Sequence, residues 1–128
     1  MKKILLVDDE PLIREVVQDR LERLGVEFHE ASNGDEALQL LGLYSDIGLV
    51  ISDIKMPIRD GVQLIKEARN RGDSRPFIFF TAFTTQEILS ALSDHGVVGF
   101  VEKGELEGLE EAVVKGFALT TALPSYAP

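Results

Sequence analysis

Three aspartates, a threonine and a lysine each stand at the end of an apolar run. Asp8 and Asp9 follow Lys3-Ile4-Leu5-Leu6-Val7, and Asp53 follows Ile47-Gly48-Leu49-Val50-Ile51-Ser52. Thr81 closes Phe77-Ile78-Phe79-Phe80, and Lys103 follows Val98-Gly99-Phe100-Val101-Glu102. Carboxylates gathered in one place repel one another, which raises at least one of their pKa values. A hard divalent cation removes that conflict. Oxygen donors without His or Cys favour Mg2+ or Mn2+ over zinc. A metal held by carboxylates can also take phosphate oxygens and neutralise charge during phosphoryl transfer. In that chemistry Lys103 supplies a second positive charge and Thr81 a hydroxyl for a phosphate oxygen. Asp53, alone after its run, is the candidate nucleophile, while the adjacent Asp8 and Asp9 can share the metal directly and through water.

Each residue taken singly has a plainer reading. Asp8-Asp9 suits a helix N-cap with an acidic first turn, and Asp53 suits a turn before Met56-Pro57. Thr81 alone is a strand end and Lys103 alone a solvated charge. The joint reading wins only if the four runs are parallel strands that deliver their ends to one edge. In open α/β sheets, the carboxyl edge is where ligands sit.

The rest of the chain supplies such a scaffold. Strand-like runs at 3–7, 26–31, 47–52, 76–81 and 97–101 alternate with five helical patterns. Leu12, Val16, Val17, Leu21 and Leu24 recur at helical spacing after Pro11, and Gly25 ends that pattern. The second helix begins at Asn33-Gly34-Asp35-Glu36, an N-cap with an acid three residues on. The third follows Gly61, the fourth starts near Thr84 or Thr85, and the fifth carries Leu106, Leu109, Val113 and Phe117. This alternation predicts a doubly wound, five-stranded parallel sheet flanked by five helices. The runs at 3–7, 47–52 and 76–81 are almost continuously apolar, as strands buried on both faces should be. The run at 26–31 alternates apolar and polar, which marks an edge strand. An edge second strand gives the order 2-1-3-4-5, with the switch point between the strands that carry Asp8, Asp9 and Asp53.

Length and composition narrow the function further. A chain of 128 residues suggests one domain, read as 1–120, with 121–128 as a C-terminal tail or the start of a linker. A net charge of −9 argues against direct nucleic-acid binding, which needs clustered Lys and Arg. Without Cys, no disulfide or thiol chemistry is available. The N-terminal apolar run is too short for a signal-peptide core and no stretch approaches membrane length, so a cytoplasmic location is expected. His29 and His95 read as structural, and there is no phosphate-binding or dinucleotide glycine motif.

The full set resembles a receiver domain of a two-component response regulator, a flavodoxin-like fold. The resemblance covers residues 2–119. It rests on Leu6-Val7-Asp8-Asp9-Glu10, on Asp53 followed by Met56-Pro57 and Asp60-Gly61, on Thr81-Ala82, and on Lys103. It implies that Asp53 takes a phosphoryl group from a histidine kinase or phosphotransfer protein. Asp9 and Asp53 would ligate Mg2+ directly, Asp8 through water, and Lys55 through its backbone carbonyl. Thr81 and Lys103 would grip the phosphoryl oxygens, and Phe100 would occupy the aromatic switch position. The surface of helix 4, strand 5 and helix 5 would then change shape for a downstream effector domain or protein, with homodimerisation possible. Such a domain modifies itself rather than turning over a substrate. The alternative is a degenerate receiver that binds partners without phosphorylation.

Three features depart from or extend the family pattern. Gly104 follows Lys103 where the family usually has a cis proline. A non-proline cis bond costs about 2.5–4 kcal/mol, so a trans bond or a looser loop is expected. Lys55, two residues after the acceptor, and Phe83, two after Thr81, are expected to modulate the lifetime of the phosphoryl group.

Overall fold

Period and residue type settle the architecture. The structure is a computed structural model that describes residues 3–82 and 84–125, with side chains through Leu119. Five strands, β1 (Lys3–Val7), β2 (Glu27–Ala31), β3 (Ile47–Ser52), β4 (Phe77–Thr81) and β5 (Val97–Glu102), form one parallel sheet in the order β2-β1-β3-β4-β5. Between and after them lie α1 (Pro11–Leu21), α2 (Gly34–Leu43), α3 (Gly61–Asn70), α4 (Gln86–Leu92) and α5 (Leu106–Ser125). The expected fold class and strand order are therefore observed. The alternating β2 run does lie at an edge of the sheet.

Successive strand residues face opposite sides of a sheet. Leu5, Val7, Val50, Phe77 and Phe79 enter one core with Ala37, Leu38 and Leu41 of α2 and Leu64, Ile65 and Ala68 of α3. Ile4, Leu6, Leu49, Ile51, Ile78 and Phe80 enter the other with Val17 and Leu21 of α1 and Leu109 and Val113 of α5. These residues are buried, which explains why β1, β3 and β4 read as unbroken apolar runs.

The helix starts are fixed by short polar side chains. Pro11 opens α1, where its missing N–H costs nothing. Asn33 Oδ1 accepts the Glu36 N–H at 2.9 Å, and Glu36 reaches back to Ser32 rather than to the cap residue itself. Asp60 and Gln63 form a reciprocal capping box on α3. Thr85, the second of the two candidates, caps α4 through the Ile88 N–H. α1 passes into a single 3-10 turn over Glu22–Leu24, which Gly25 ends at φ 70°. α5 continues to Ser125, beyond residue 120 where the domain boundary was expected. Residues 126–128 of the expected tail lie outside the described residues.

Register carries the fold to the site. Val7 pairs with Ser52, and the Asp53 N–H donates to the Val7 carbonyl at 2.9 Å. Thr81 pairs with Glu102, and the Lys103 N–H donates to the Thr81 carbonyl at 2.9 Å. Both ladders thus continue one residue past the strands and deliver all the anchors to the carboxyl edge. At the opposite end Arg69 ties three segments together. Its guanidinium donates to the carbonyls of Asp73, Arg75 and His95 and lies over the Phe77 ring.

Candidate phosphoryl and metal site

Asp8 follows β1 directly, is 2% exposed, and has a use for each oxygen. Oδ1 accepts the Glu10 N–H at 2.9 Å, and Oδ2 lies 3.0 Å from Lys103 Nζ. Asp53, 7% exposed, is divided in the same way: Oδ1 accepts the Ile54 N–H at 2.7 Å and Oδ2 accepts from Lys103 Nζ at 2.8 Å. Asp9 is exposed. Carboxylate oxygens of Asp8, Asp9 and Asp53 all lie within 4.8 Å of one another. This oxygen-only set, with neither His nor Cys, suits a hard divalent cation such as Mg2+.

Electrostatics at the rim follow from burial. Desolvation raises the pKa of Asp8, against the lowering effects of the Glu10 N–H and the Lys103 ammonium; the charge of Asp53 raises it further. Burial opposes the charge on Lys103, but hydrogen bonds to Asp53 and Asp8 outweigh it and hold the ammonium above its ordinary value. Lys103 is therefore a permanent cation at the centre of the acidic cluster. A third carboxylate, Glu10, reaches the same nitrogen at 3.3 Å.

The loop after β3 is held from several sides. The Gly61 N–H donates to the Ile54 carbonyl at 2.7 Å, bringing the start of α3 against Asp53. A Cβ at Gly61 would lie 2.4 Å from the Asp53 carbonyl oxygen. The Gly34 N–H donates to the Arg59 carbonyl at 3.0 Å, and Arg59 pairs with Asp35, tying the loop to α2. Between them the Arg59 N–H donates to the Pro57 carbonyl at 2.8 Å, a tight turn that puts Ile58 at φ 70°. A β-branched residue there is strained, and Ile58 is also 74% exposed.

The remaining predicted residues fall around this centre. Thr81 is buried at the end of β4 and backbone-bonded to Lys103. Phe100, on β5, is 39% exposed, and its ring stacks on the buried Phe79 at 6.0 Å. Lys55 is exposed in the loop after Asp53. Phe83 lies outside the described residues. No cis peptide occurs among the described residues, so Lys103–Gly104 is trans, and Gly104 adopts φ 103°. Proline cannot take that φ, which is the physical content of the departure at this position.

The chain matches the response regulator receiver domain family over residues 4–114. It belongs to that family. A transcriptional regulatory protein of Mycobacterium tuberculosis, PdtaR, is 32% identical over 127 residues, covering 95% of this chain and 61% of the relative. The receiver domain thus spans less than two thirds of that relative's length. The Regulator of RpoS of Escherichia coli is 38% identical over 81 residues, 63% of this chain and 24% of the relative. Among solved structures, the response regulator TrrA of Thermotoga maritima in complex with Mg2+-BeF has a TM-score of 0.79 at 37% identity, covering 91% of this chain and 99% of that one. A receiver domain from Clostridium thermocellum gives a TM-score of 0.86 at 25% identity, covering 96% and 99%. The family is one of signalling domains rather than a classical enzyme family.

Sequence reasoning missed two residues of this receiver domain. Glu10 was only part of a motif, although its place beside the acidic pair was a usable signal. Arg14 donates Nε to Glu30 at 2.8 Å and Nη1 to the Asp8 carbonyl at 2.5 Å, so it braces the backbone of the acidic pair against β2. Nothing in its spacing announced that role. No helix among the described residues is long and apolar enough to cross a membrane.

Proposed function

We propose that this receiver domain takes a phosphoryl group onto Asp53 from a phosphohistidine of a histidine kinase or phosphotransfer protein. The observation that carries this is the convergence of Asp8, Asp9 and Asp53, their carboxylate oxygens within 4.8 Å of one another, with Lys103 ion-paired to Asp8 and Asp53 at the end of the sheet. An Asp53 carboxylate oxygen attacks phosphorus, the N–P bond breaks, and the imidazole leaves with the electron pair and takes a proton. Lys103 balances the developing charge on the phosphoryl oxygens, and the Thr81 hydroxyl accommodates one of them. The Ile54 N–H and the register with β1 hold Asp53 still while this happens.

Asp8, Asp9 and Asp53 would hold Mg2+, with Mn2+ as a substitute, and the backbone carbonyl of Lys55 would add a donor. The bound cation would supply charge neutralisation across carboxylates and phosphoryl oxygens. The Mg2+-BeF complex of TrrA supports this, since beryllium fluoride joined to an oxygen donor is tetrahedral, like a phosphoryl group on a carboxylate. Output would pass through Thr81 and Phe100 to the surface of α4, β5 and α5, where a downstream effector domain or protein, or a second copy, would read it. The half-exposed ring of Phe100 against Phe79 supports a two-position switch there.

The test is intact mass after incubation with Mg2+ and acetyl phosphate. One phosphoryl adduct is expected, lost without Mg2+ and in Asp53→Ala. If no adduct forms, and a phosphorylated kinase also fails to transfer, the domain acts as a phosphorylation-independent binding module instead.

A further inference from the structure

Lys103 Nζ has three N–H groups and three carboxylate partners: Asp53 at 2.8 Å, Asp8 at 3.0 Å and Glu10 at 3.3 Å. Two of these partners have other duties in phosphoryl transfer. Asp53 gives an oxygen to the phosphoryl group, and Asp8 belongs to the cation site. Glu10 has neither duty. It sits at the N-cap of α1, where Ser, Thr, Asp or Asn would be preferred, yet its side chain makes no capping bond there. Its carboxylate instead crosses to a lysine 93 residues away in sequence.

The loop that carries Lys103 needs such a tether. Gly104 stands at φ 103° with nothing within 4 Å of the place a Cβ would take, and the Glu105 N–H closes the turn onto the Glu102 carbonyl at 3.0 Å, which holds the backbone but does not touch the lysine side chain. Lys103 is fixed by its N–H to Thr81 on one side and by its side-chain partners on the other. The side chain is 12% exposed while Glu10 is 62% exposed, so Glu10 closes the pair from the solvent side.

We propose that Glu10 is a positioning residue for Lys103, holding the ammonium over the rim when Asp8 and Asp53 turn to the cation and the phosphoryl group. This rests on the reading of Asp53 as the phosphoryl acceptor. Glu10 does not touch the reacting atoms and acts only through Lys103. An ion pair with one exposed partner is a modest effect, so the expected loss is about two- to fivefold in rate.

Two measurements on the full chain test it. The rate of adduct formation with acetyl phosphate and Mg2+ is measured for wild type, Glu10→Ala and Glu10→Gln, and again for Glu10→Ala in a Lys103→Ala background. Glu10→Ala should slow the reaction, and Glu10→Gln, which keeps an acceptor oxygen, should recover part of the rate. The same change should cost nothing further once Lys103 is gone. An undiminished rate in Glu10→Ala, or an equal loss in both backgrounds, overturns the proposal. The second readout does not depend on phosphorylation. The 1H–15N ammonium signal of Lys103, followed with and without Mg2+, should persist in wild type and broaden away in Glu10→Ala. An unchanged signal overturns the positioning role. A wild type with a Glu10-dependent ammonium signal but no adduct would instead refute the acceptor reading.

Discussion

Replacing Gly61 with alanine should damage both the fold and the placement of Asp53. The added Cβ would lie 2.4 Å from the Asp53 carbonyl oxygen, 2.9 Å from Ile54 Cα and 2.9 Å from Phe79 Cε1. Two of those atoms are backbone and the third belongs to a fully buried ring, so no flexible side chain can yield. Ordinary contact begins near 3.4 Å, so the loop after β3 must move by about 1 Å. Overpacking of this kind costs about 1–3 kcal/mol. Alanine's better helix propensity returns roughly 0.5–1 kcal/mol at most. The net loss is about 1–2 kcal/mol, or roughly 4–8 °C in Tm for a domain of this size. Displacing a reacting group by 1 Å can also cost on the order of a hundredfold in rate. Gly42 is the control, because it lies within α2 with nothing within 4 Å of its Cβ position. Gly42→Ala should raise stability by up to about 1 kcal/mol. Thermal unfolding by circular dichroism reads both changes. A Gly61→Ala domain as stable as wild type would refute the packing argument.

Other outcomes follow from the same geometry. Ile58→Gly should raise stability by about 0.5–1 kcal/mol, since the strain of an L side chain at φ 70° exceeds the entropy cost of glycine; urea unfolding checks it. Gly104→Pro should lower stability or dislodge Lys103, because φ 103° lies outside proline's range; a variant with unchanged Tm and phosphorylation rate would contradict this. From their sequence positions alone, two residues after Asp53 and Thr81, exchanging Lys55 and Phe83 together for small polar residues should change the dephosphorylation rate, followed by decay of the mass adduct. The pH dependence of stability should carry the mark of Asp8. Its folded pKa lies above the ordinary 3.8, so the folded state binds the proton more tightly and Asp8's contribution falls as pH rises from 3.8 through the folded value. The stability difference between Asp8→Asn and wild type, without metal, should therefore move in the variant's favour across that window.

Much of this was legible in the sequence because periodicity and topology are redundant. The apolar runs of β1, β3 and β4 announced burial on both faces, and the alternation of β2 announced an edge. Once the runs are parallel strands, register alone brings Asp8, Asp53, Thr81 and Lys103 to one end. Side-chain reach is what the pattern could not supply. Nothing in the spacing fixes where the side chains of Glu10 and Arg14 reach, yet both fold back onto the rim. The turn at Ile58 was hidden for a different reason: its hydrogen bond forces a φ that its residue type disfavours. The extent of α5 beyond residue 120 was obscured by Pro124, which reads as a helix stop.

Asp53 is the residue proposed to carry the phosphoryl group. Acyl phosphates are reduced by borohydride, which converts the modified aspartate to homoserine. After treatment with Mg2+ and acetyl phosphate, then borohydride and proteolysis, homoserine should appear at position 53. Homoserine at another aspartate, or none at all from a protein that had gained a phosphoryl mass, would contradict the assignment.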